Sequence, residues 1–306
     1  MKLLIVTQIV DKNDPILGFF HRWIEEFAKH VEHIEVICLK EGKHKLPSNV
    51  HIHSIGKEQT TIIYDSGLLK RIGYGFRFLY LIWKLRKNYD TVLVHMNPEY
   101  VLLAGCFWKL WRKPVGLWYT HKSVNLKLRV AELFADTIFT ASKESFRLPS
   151  KKLQVMGHGI DIEFFAPDEK VSRGNHLLSV GRLMPTKRHD LAIQRAKDAG
   201  LALRVVGDGP ERDRLKAYAK ELNAEVKFLG SLTQEQLLYE YQMACKLIHT
   251  SETGSLDKVV LEAAACGCLV DSTDPAISTL PLSPSYIREH HSLQSLIPRI
   301  IEAYVA

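Results

Sequence analysis

Cysteine is scarce in this chain and shows no pairing pattern. Five occur in 306 residues, at Cys38, Cys106, Cys245, Cys266 and Cys268, an odd and scattered set that excludes a disulfide framework and points to a reducing compartment. No apolar run approaches the roughly 18–20 residues that a membrane-spanning helix needs. The opening "MKLLIVTQIVDKNDP" meets charge too soon for a secretory signal. The expected setting is therefore cytoplasmic, in solution or peripheral on the cytoplasmic membrane face. Acidic side chains are outnumbered, 34 against 41 basic ones, for a formal charge of +7. That balance suits anionic ligands, an acidic membrane surface or nucleic acid. No nucleic-acid module is recognisable and the basic residues are spread over both halves, so nucleic acid is not an expected partner. A convincing Asp-x-Asp metal motif is missing too: "DSTD" at 271–274 has the wrong spacing and no other ligand cluster. Neither a metal nor another cofactor is expected.

What the chain has in quantity is alternation. "LLIV" (3–6), "IEVICL" (34–39), "VHIHSI" (50–55), "TVLVH" (91–95), "VGLW" (115–118) and "TIFT" (137–140) read as strands. Amphipathic stretches such as Phe19–Lys29, Leu68–Lys87 and Lys127–Phe134 lie between several of them. The pattern restarts with "LLSV" (177–180), "LRVV" (203–206), "VKFL" (226–229), "KLIH" (246–249) and "CLV" (268–270), with helical segments at 188–199, 211–222, 234–244 and 257–266. Near-continuous apolar strands alternating with helices imply parallel sheets covered on both faces. The fold class is α/β, with two doubly wound, Rossmann-like domains. The polar, turn-rich "APDEKVSRGN" (166–175) places the boundary, giving domains at 1–165 and 166–306.

In such sheets, ligands bind outside the carboxyl ends of the strands. Four junctions in the second half are equipped for an anion. In "SVGRLMPTKRHDLAI" (179–193), Gly181 permits a tight turn, and Arg182 and Lys187 can neutralise a diphosphate; the plain alternative is a solvated basic loop. "VVGDGPERDRL" (205–215) turns at Gly207, but Arg212 stands where a dinucleotide fingerprint needs its third glycine, which argues against NAD. "FLGSLTQEQL" (228–237) carries Gly230 at a loop tip and a capping box from Thr233 to Gln236. In "TSETGSLDKVVLEAAACGCLV" (250–270), Gly254, Ser255, Leu256 and Asp257 lead into a helix whose first N–H groups form an anion seat. An aspartate at that N-cap is expected to satisfy those donors itself and to repel a phosphate. Glu262, more than a turn in, has solvation as its plain reading.

Taken in order, "GHGIDIEFF", "SVGRLMPTKRHDLAI", "VVGDGPERDRL", "FLGSLTQEQL" and "VVLEAAACG" resemble the nucleotide-sugar half of glycosyltransferase family 4, strongly over 155–270. Over 1–154 the resemblance rests on the opening strand, the Gly18 loop and "WYTHKSV". It implies a retaining enzyme of GT-B fold that moves a sugar from a UDP- or GDP-linked donor to a glycan or lipid-linked acceptor, without a metal. It also implies that Arg182 and Lys187 contact the diphosphate, that Glu262 accepts from the ribose hydroxyls, that the loop after Gly230 lies by the base, that the Gly18 loop approaches the donor from the other domain, and that His121 lies near the transferred sugar. "GHGID" (157–161) has His158 where the family usually has asparagine.

Two departures stand out. The first of the family's two glutamates would fall at Gly254; Glu252 lies two residues earlier and Asp257 three later, which makes these the candidate replacement acids. The chain also ends about 40 residues after "CGCLV", shorter than the family's pattern, so the second domain is expected to be shortened at its C-terminus. A nucleotide-sugar-binding protein without transfer activity, and a GT-B epimerase, are the rival readings. Outside these motifs, His51 and His53 read as an ordinary half-exposed pair on a strand, and "CGC" (266–268) as core packing. In the segment 68–87, Leu69, Ile72, Phe76, Leu79 and Trp83 recur at helical spacing with Lys70, Arg77 and Lys84 every seventh residue. The plain reading packs that apolar stripe inward; the alternative is an anionic membrane surface as partner, an option to which "CFWKLWRKP" (106–114) adds.

Overall fold

The computed structural model describes residues 1–56, 68–252 and 256–305. Contacts divide the chain into two units, Met1–Gly159 with Gln294–Ala306, and Ile160–Leu293. In the first unit the strands are β1 (Lys2–Val10), β2 (His33–Glu41), β3 (Val50–Ser54), β4 (Thr91–His95), β5 (Val115–Trp118), β6 (Thr137–Thr140) and β7 (Leu153–Val155). They pair in parallel in the order β3-β2-β1-β4-β5-β6-β7. Helices α1 (Gly18–His30), α2 (Leu68–Lys84), α3 (Pro98–Leu110) and α4 (Leu126–Phe134) connect them. The interior strand β1 is dry on both faces, with Leu3, Leu4, Ile5 and Val6 fully buried, which is why it reads as an unbroken apolar run.

The second unit repeats the plan with β8 (His176–Val180), β9 (Ala202–Val206), β10 (Val226–Gly230), β11 (Lys246–His249) and β12 (Leu269–Ser272), in the order β10-β9-β8-β11-β12. Its helices are α5 (His189–Ala199), α6 (Arg212–Glu221), α7 (Gln234–Met243), α8 (Lys258–Ala265), α9 (Pro275–Ser278) and α10 (Pro284–His291). The Thr233–Gln236 capping box forms at the start of α7. Helix α11 (Leu293–Val305) closes the chain, and its residues from Gln294 onward belong to the first unit. There Arg299 donates to the carbonyls of Met156 and Val155 at 3.3 and 3.2 Å, and Tyr304 Oη donates to that of Val92 at 2.8 Å. A Cβ on Gly116 would collide with that same hydroxyl, so the glycine of "VGLW" makes room for α11.

Three elements carry no clear signal in the sequence. Helix α3 is apolar around much of its circumference, with Val101, Ala104 and Trp108 buried and Leu103, Phe107 and Leu110 exposed, so it lacks the one-sided stripe that marks a surface helix. Strand β7 is three residues long, and α11 contains Pro298, ordinarily a helix breaker. The five cysteines are free thiols. His53 and His33 hydrogen-bond Glu35, at 2.6 and 3.0 Å, and the His51 ring lies 4.8 Å from that of His33.

Candidate functional site

The strand order reverses direction at β8, whose neighbours β9 and β11 lead the chain to opposite sides of the sheet. Loops at the carboxyl ends of those strands diverge there and leave a crevice, the usual ligand seat of an open α/β sheet. The turn after β8 is tied to its neighbours: Gly181 N–H donates to Val206 O at 3.0 Å, Leu183 N–H to Asp208 O at 3.0 Å, and Gly207 N–H to Gly230 O at 2.8 Å. Gly207 sits at φ +128°, and a Cβ there would collide with the Gly181 carbonyl. Gly181, Gly207 and Gly230 are thus three rungs of one backbone ladder. From this rigid base Arg182 projects as an exposed side chain, and among the described residues no carboxylate pairs with it. A 3-10 turn, Pro185–Lys187, follows. Arg188 then adopts the left-handed φ of +49° at the N-cap of α5. Beneath the turn, His189 is buried with Nδ1 2.9 Å from Ser179 Oγ; burial holds its pKa down at about 4.

The chain after β11 brings the second set of groups to the same crevice. Asp257 occupies the N-cap of α8, yet its side chain makes no capping hydrogen bond. The expectation that it satisfies the helix's own donors is therefore corrected: the carboxylate turns instead to a cation and a ring. Asp257 Oδ2 accepts from Lys187 Nζ at 2.5 Å and lies 3.1 Å from His249 Nε2. Lys187 Nζ also donates to Ser251 Oγ at 3.2 Å. Burial raises the Asp257 pKa, but the hydrogen bond from His249 and the charge and hydrogen bond of Lys187 outweigh it and bring it down to about 2. An anion at the mouth of α8 thus meets an aspartate already matched by a lysine.

Glu262 is 3% exposed, so its reading as a solvated helix residue fails. Tyr241 Oη donates to its Oε2 at 3.1 Å, and Lys258 Nζ, one helical turn earlier, lies 3.4 Å from Oε1. Burial raises its pKa despite Lys258 and Tyr241. Leu256 is half-buried against the core under α8. Glu252 pairs with the next cation of the same turn, taking Arg188 Nη1 at 2.5 Å in a salt bridge whose carboxylate side chain is 58% exposed. Gly254 and Ser255 lie outside the described residues. Among the described residues no three of His, Cys, Asp and Glu gather as a metal site.

In the first unit, Gly18 opens α1, and a Cβ there would press on the Lys12 carbonyl at 2.9 Å. His121 is exposed; its Nδ1 accepts from Ser123 N–H at 3.1 Å, which leaves the proton of the neutral ring on Nε2, pointing away as a donor. A cavity of about 300 Å³ opens at the carboxyl ends of β1, β2 and β4, lined in part by Gln8, Arg71, Tyr74, Asn97 and Tyr100. Gln8 Nε2 donates to Asn97 Oδ1 at 2.9 Å, while Asn97 Nδ2 is buried without an acceptor among the described residues. The segment 68–87 departs from its plain reading. Phe78, Ile82 and Leu85 are the buried residues, and Arg77 turns to the carbonyl of Ile55 at 2.9 Å. Ile72, Phe76, Tyr80 and Trp83 face outward, Phe76 with 70% exposure, so most of the described part of the stripe read as core is surface; Leu79 is partly buried. No helix among the described residues is long and apolar enough to cross a membrane.

The motifs of this crevice are those of a known family, and residues 161–278 match the model of glycosyl transferases group 1. The match takes in most of the second unit. The group 1 match overlaps the 155–270 stretch on which the resemblance to family 4 rests. The chain is 33% identical over 212 residues to an N-acetylgalactosamine-N,N'-diacetylbacillosaminyl-diphospho-undecaprenol 4-alpha-N-acetylgalactosaminyltransferase of Campylobacter jejuni, in an alignment covering 60% of this chain and 58% of that protein. It is 32% identical over 142 residues to a D-inositol 3-phosphate glycosyltransferase of Frankia alni, covering 38% of this chain and 35% of the relative. The chain thus spans 58% and 35% of the length of these two relatives. In structure it is similar over its whole length to Anabaena HepE, solved in complex with UDP and glucose, with a TM-score of 0.72 at 15% identity and full coverage of both chains. That likeness is one of fold, the GT-B fold of two Rossmann-like domains.

Sequence reasoning singled out Arg182, Lys187, Asp257 and Glu262 but passed over His249, Ser251 and Tyr241, which contact Asp257, Lys187 and Glu262 respectively, and Ser272 behind His249. The only signal for His249 was its place as the last, polar residue of an apolar strand, "KLIH".

Proposed function

We propose that the chain is a glycosyltransferase that moves a sugar from a nucleoside-diphosphate donor, UDP- or GDP-linked, to a glycan or lipid-linked acceptor, with retention and without a metal. The observation that carries this reading is the meeting, at the β8/β11 crevice, of the Arg182–Lys187 turn with an α8 N-terminus that no aspartate side chain caps. Breaking the sugar–phosphate bond develops negative charge on the leaving diphosphate. Cations and helix N–H groups fixed in advance stabilise that charge without reorganising. Arg182 can grip two oxygens at once, whereas Lys187 acts as a point charge. Glu262, buried with a fixed carboxylate, suits the ribose hydroxyls, and the ladder ending at Gly230 leaves an open edge for a base. The acceptor hydroxyl bonds to the anomeric carbon as the phosphate leaves on the same face, and its proton passes to a departing phosphate oxygen. Gly18 and His121 keep the roles the resemblance implies, His121 as an Nε2–H donor.

Of the two candidate acids, Asp257 is largely buried beside Lys187, while Glu252 is exposed and paired with Arg188; Asp257 is the acid this reading favours. The first-unit cavity is the proposed acceptor seat: tyrosine faces suit a sugar ring, Arg71 an acidic group, and the amides its hydroxyls. The basic-aromatic α2 surface fits an anionic membrane, the place of a lipid-linked acceptor, as in the undecaprenol-linked substrate named for the Campylobacter relative. The site is proposed to act at the cytoplasmic membrane face.

A thermal-shift screen of UDP- and GDP-sugars tests donor binding, because a ligand of the folded state raises its midpoint. Arg182→Ala should cut turnover by about 10²–10³-fold, the scale of losing one transition-state donor, with an unchanged melting point. Arg71→Ala should instead raise KM for the acceptor. Normal turnover in Arg182→Ala rejects the diphosphate role. A second reading, a nucleotide-sugar-binding protein without transfer, draws on the engagement of both acids, Asp257 with Lys187 and Glu252 with Arg188. Donor binding with no hydrolysis or transfer across a panel of acceptors would select it.

A further inference from the structure

Lys187 cannot serve a diphosphate and Asp257 at full strength together. Asp257 Oδ2 holds the ammonium at 2.5 Å, and the same oxygen faces His249 Nε2 at 3.1 Å. Behind the ring, Ser272 Oγ accepts from Asp274 N–H at 3.1 Å and lies 2.9 Å from His249 Nδ1. The Asp257 carboxylate only accepts, so the neutral ring carries its proton on Nε2 and donates it there, and its bare Nδ1 accepts from the Ser272 O–H. His249 is 5% exposed and the Asp257 side chain 17%. If Lys187 left for a phosphate, this part-buried carboxylate would keep a single neutral hydrogen bond, a costly state for a charge out of water.

We propose that His249 is a positioning residue that takes up a proton as Lys187 turns from Asp257 to the donor diphosphate. The inference rests on the donor-site reading above. The proton comes from solvent and binds Nδ1, the Ser272 O–H rotates away so that its oxygen accepts, and no covalent bond changes. Asp257 exchanges an ammonium for an imidazolium and stays where it was. The crevice gains one positive charge as two phosphates enter. The groups around His249 permit this: Asp257 at the head of α8 and, beyond it, Lys187 from the β8–α5 turn are the charged ones. Ser272 on β12 is neutral, and of the acids beside it Asp271 is paired with Arg195 at 2.9 Å, while Asp274 presents its N–H to Ser272.

Calorimetric titration with UDP-glucose, and in parallel with GDP-mannose, in buffers of different ionisation enthalpy near pH 7 counts the protons exchanged. The native chain should take up as much as one proton per donor bound, and donor affinity should fall as pH rises, by at most about tenfold per unit. His249→Gln keeps an N–H for Asp257 but cannot titrate, and Asp257→Asn removes the charge that needs compensation; both should bind donor with no uptake and a flat pH profile. Buffer-independent binding heat in the native chain, or equal uptake in folded His249→Gln, overturns the proposal. Failure of both nucleotide sugars to bind the native chain overturns the donor-site reading itself, a distinct result.

Discussion

Glu262 illustrates how burial changes the meaning of a residue. As a letter in a helix of alanines it could be solvated; in the structure it is closed off, with Tyr241 and Lys258 as partners. Glu262→Gln keeps an acceptor for the Tyr241 hydroxyl and should fold, yet bind nucleotide about tenfold more weakly, roughly 1.4 kcal/mol. Glu262→Leu strands that hydroxyl and Lys258, and should in addition cost about 1–3 kcal/mol of stability. Titration calorimetry and denaturant unfolding separate the two effects; unchanged affinity in a folded Gln variant rejects the ribose role. At this scale the charged residue types and their spacing were legible, but their partners were not. Asp257 looks like a cap because caps are local, and only the folded chain brings Lys187, seventy positions earlier, close enough to compete with the helix for its carboxylate.

Elements were more legible than contacts. The strands flanking the crevice were visible because buried parallel strands are continuous apolar runs, whereas α3 and α11 were not, the first for want of a one-sided stripe and the second for its internal proline. Helix α2 was legible as a helix but not in its orientation, since Phe78, Ile82 and Leu85 make an equally good stripe and win the core. The outward Phe76, Tyr80 and Trp83, with Lys84 5.9 Å from the Tyr80 ring and Arg86 4.6 Å from the Trp83 ring, make up the surface proposed to meet lipid headgroups. The protein should float with vesicles containing phosphatidylglycerol at low salt and be released by high salt. Phe76→Ser with Trp83→Ser should abolish flotation while leaving the fold intact, as neither side chain is buried. Equal flotation of the double variant would remove α2 as the docking surface.

For the molecule as a whole, mild acid is the telling stress. His189 is held neutral by burial, its pKa lowered to about 4 from 6.5, and His291 is lowered to about 4 in the same way. Below pH 6.5 the unfolded chain binds protons at these rings that the folded chain refuses. Stability is therefore full above about 6.5 and is lost progressively as pH falls toward 4, by an amount on the order of 3 kcal/mol for a shift of this size. Asp257, lowered to about 2 from 3.8, adds a later loss, beginning only below its unfolded value. Denaturant midpoints measured from pH 7 to 4 should show the early slope, and His189→Asn, which keeps a polar group toward Ser179, should flatten it. An unaltered slope in that variant assigns the loss elsewhere.

The first unit is written in two pieces, residues up to Gly159 and again from Gln294, with the whole second unit spelled between them. A ribosome therefore finishes the second sheet before it has supplied the tyrosine that fills the space over Gly116. The nascent first sheet must wait, its β4–β6 face open, for contacts separated by 143 to 212 residues, among the slowest kind to form. The early-made half of this protein is thus the late-completed one, and chaperone dependence during synthesis is expected to concentrate there.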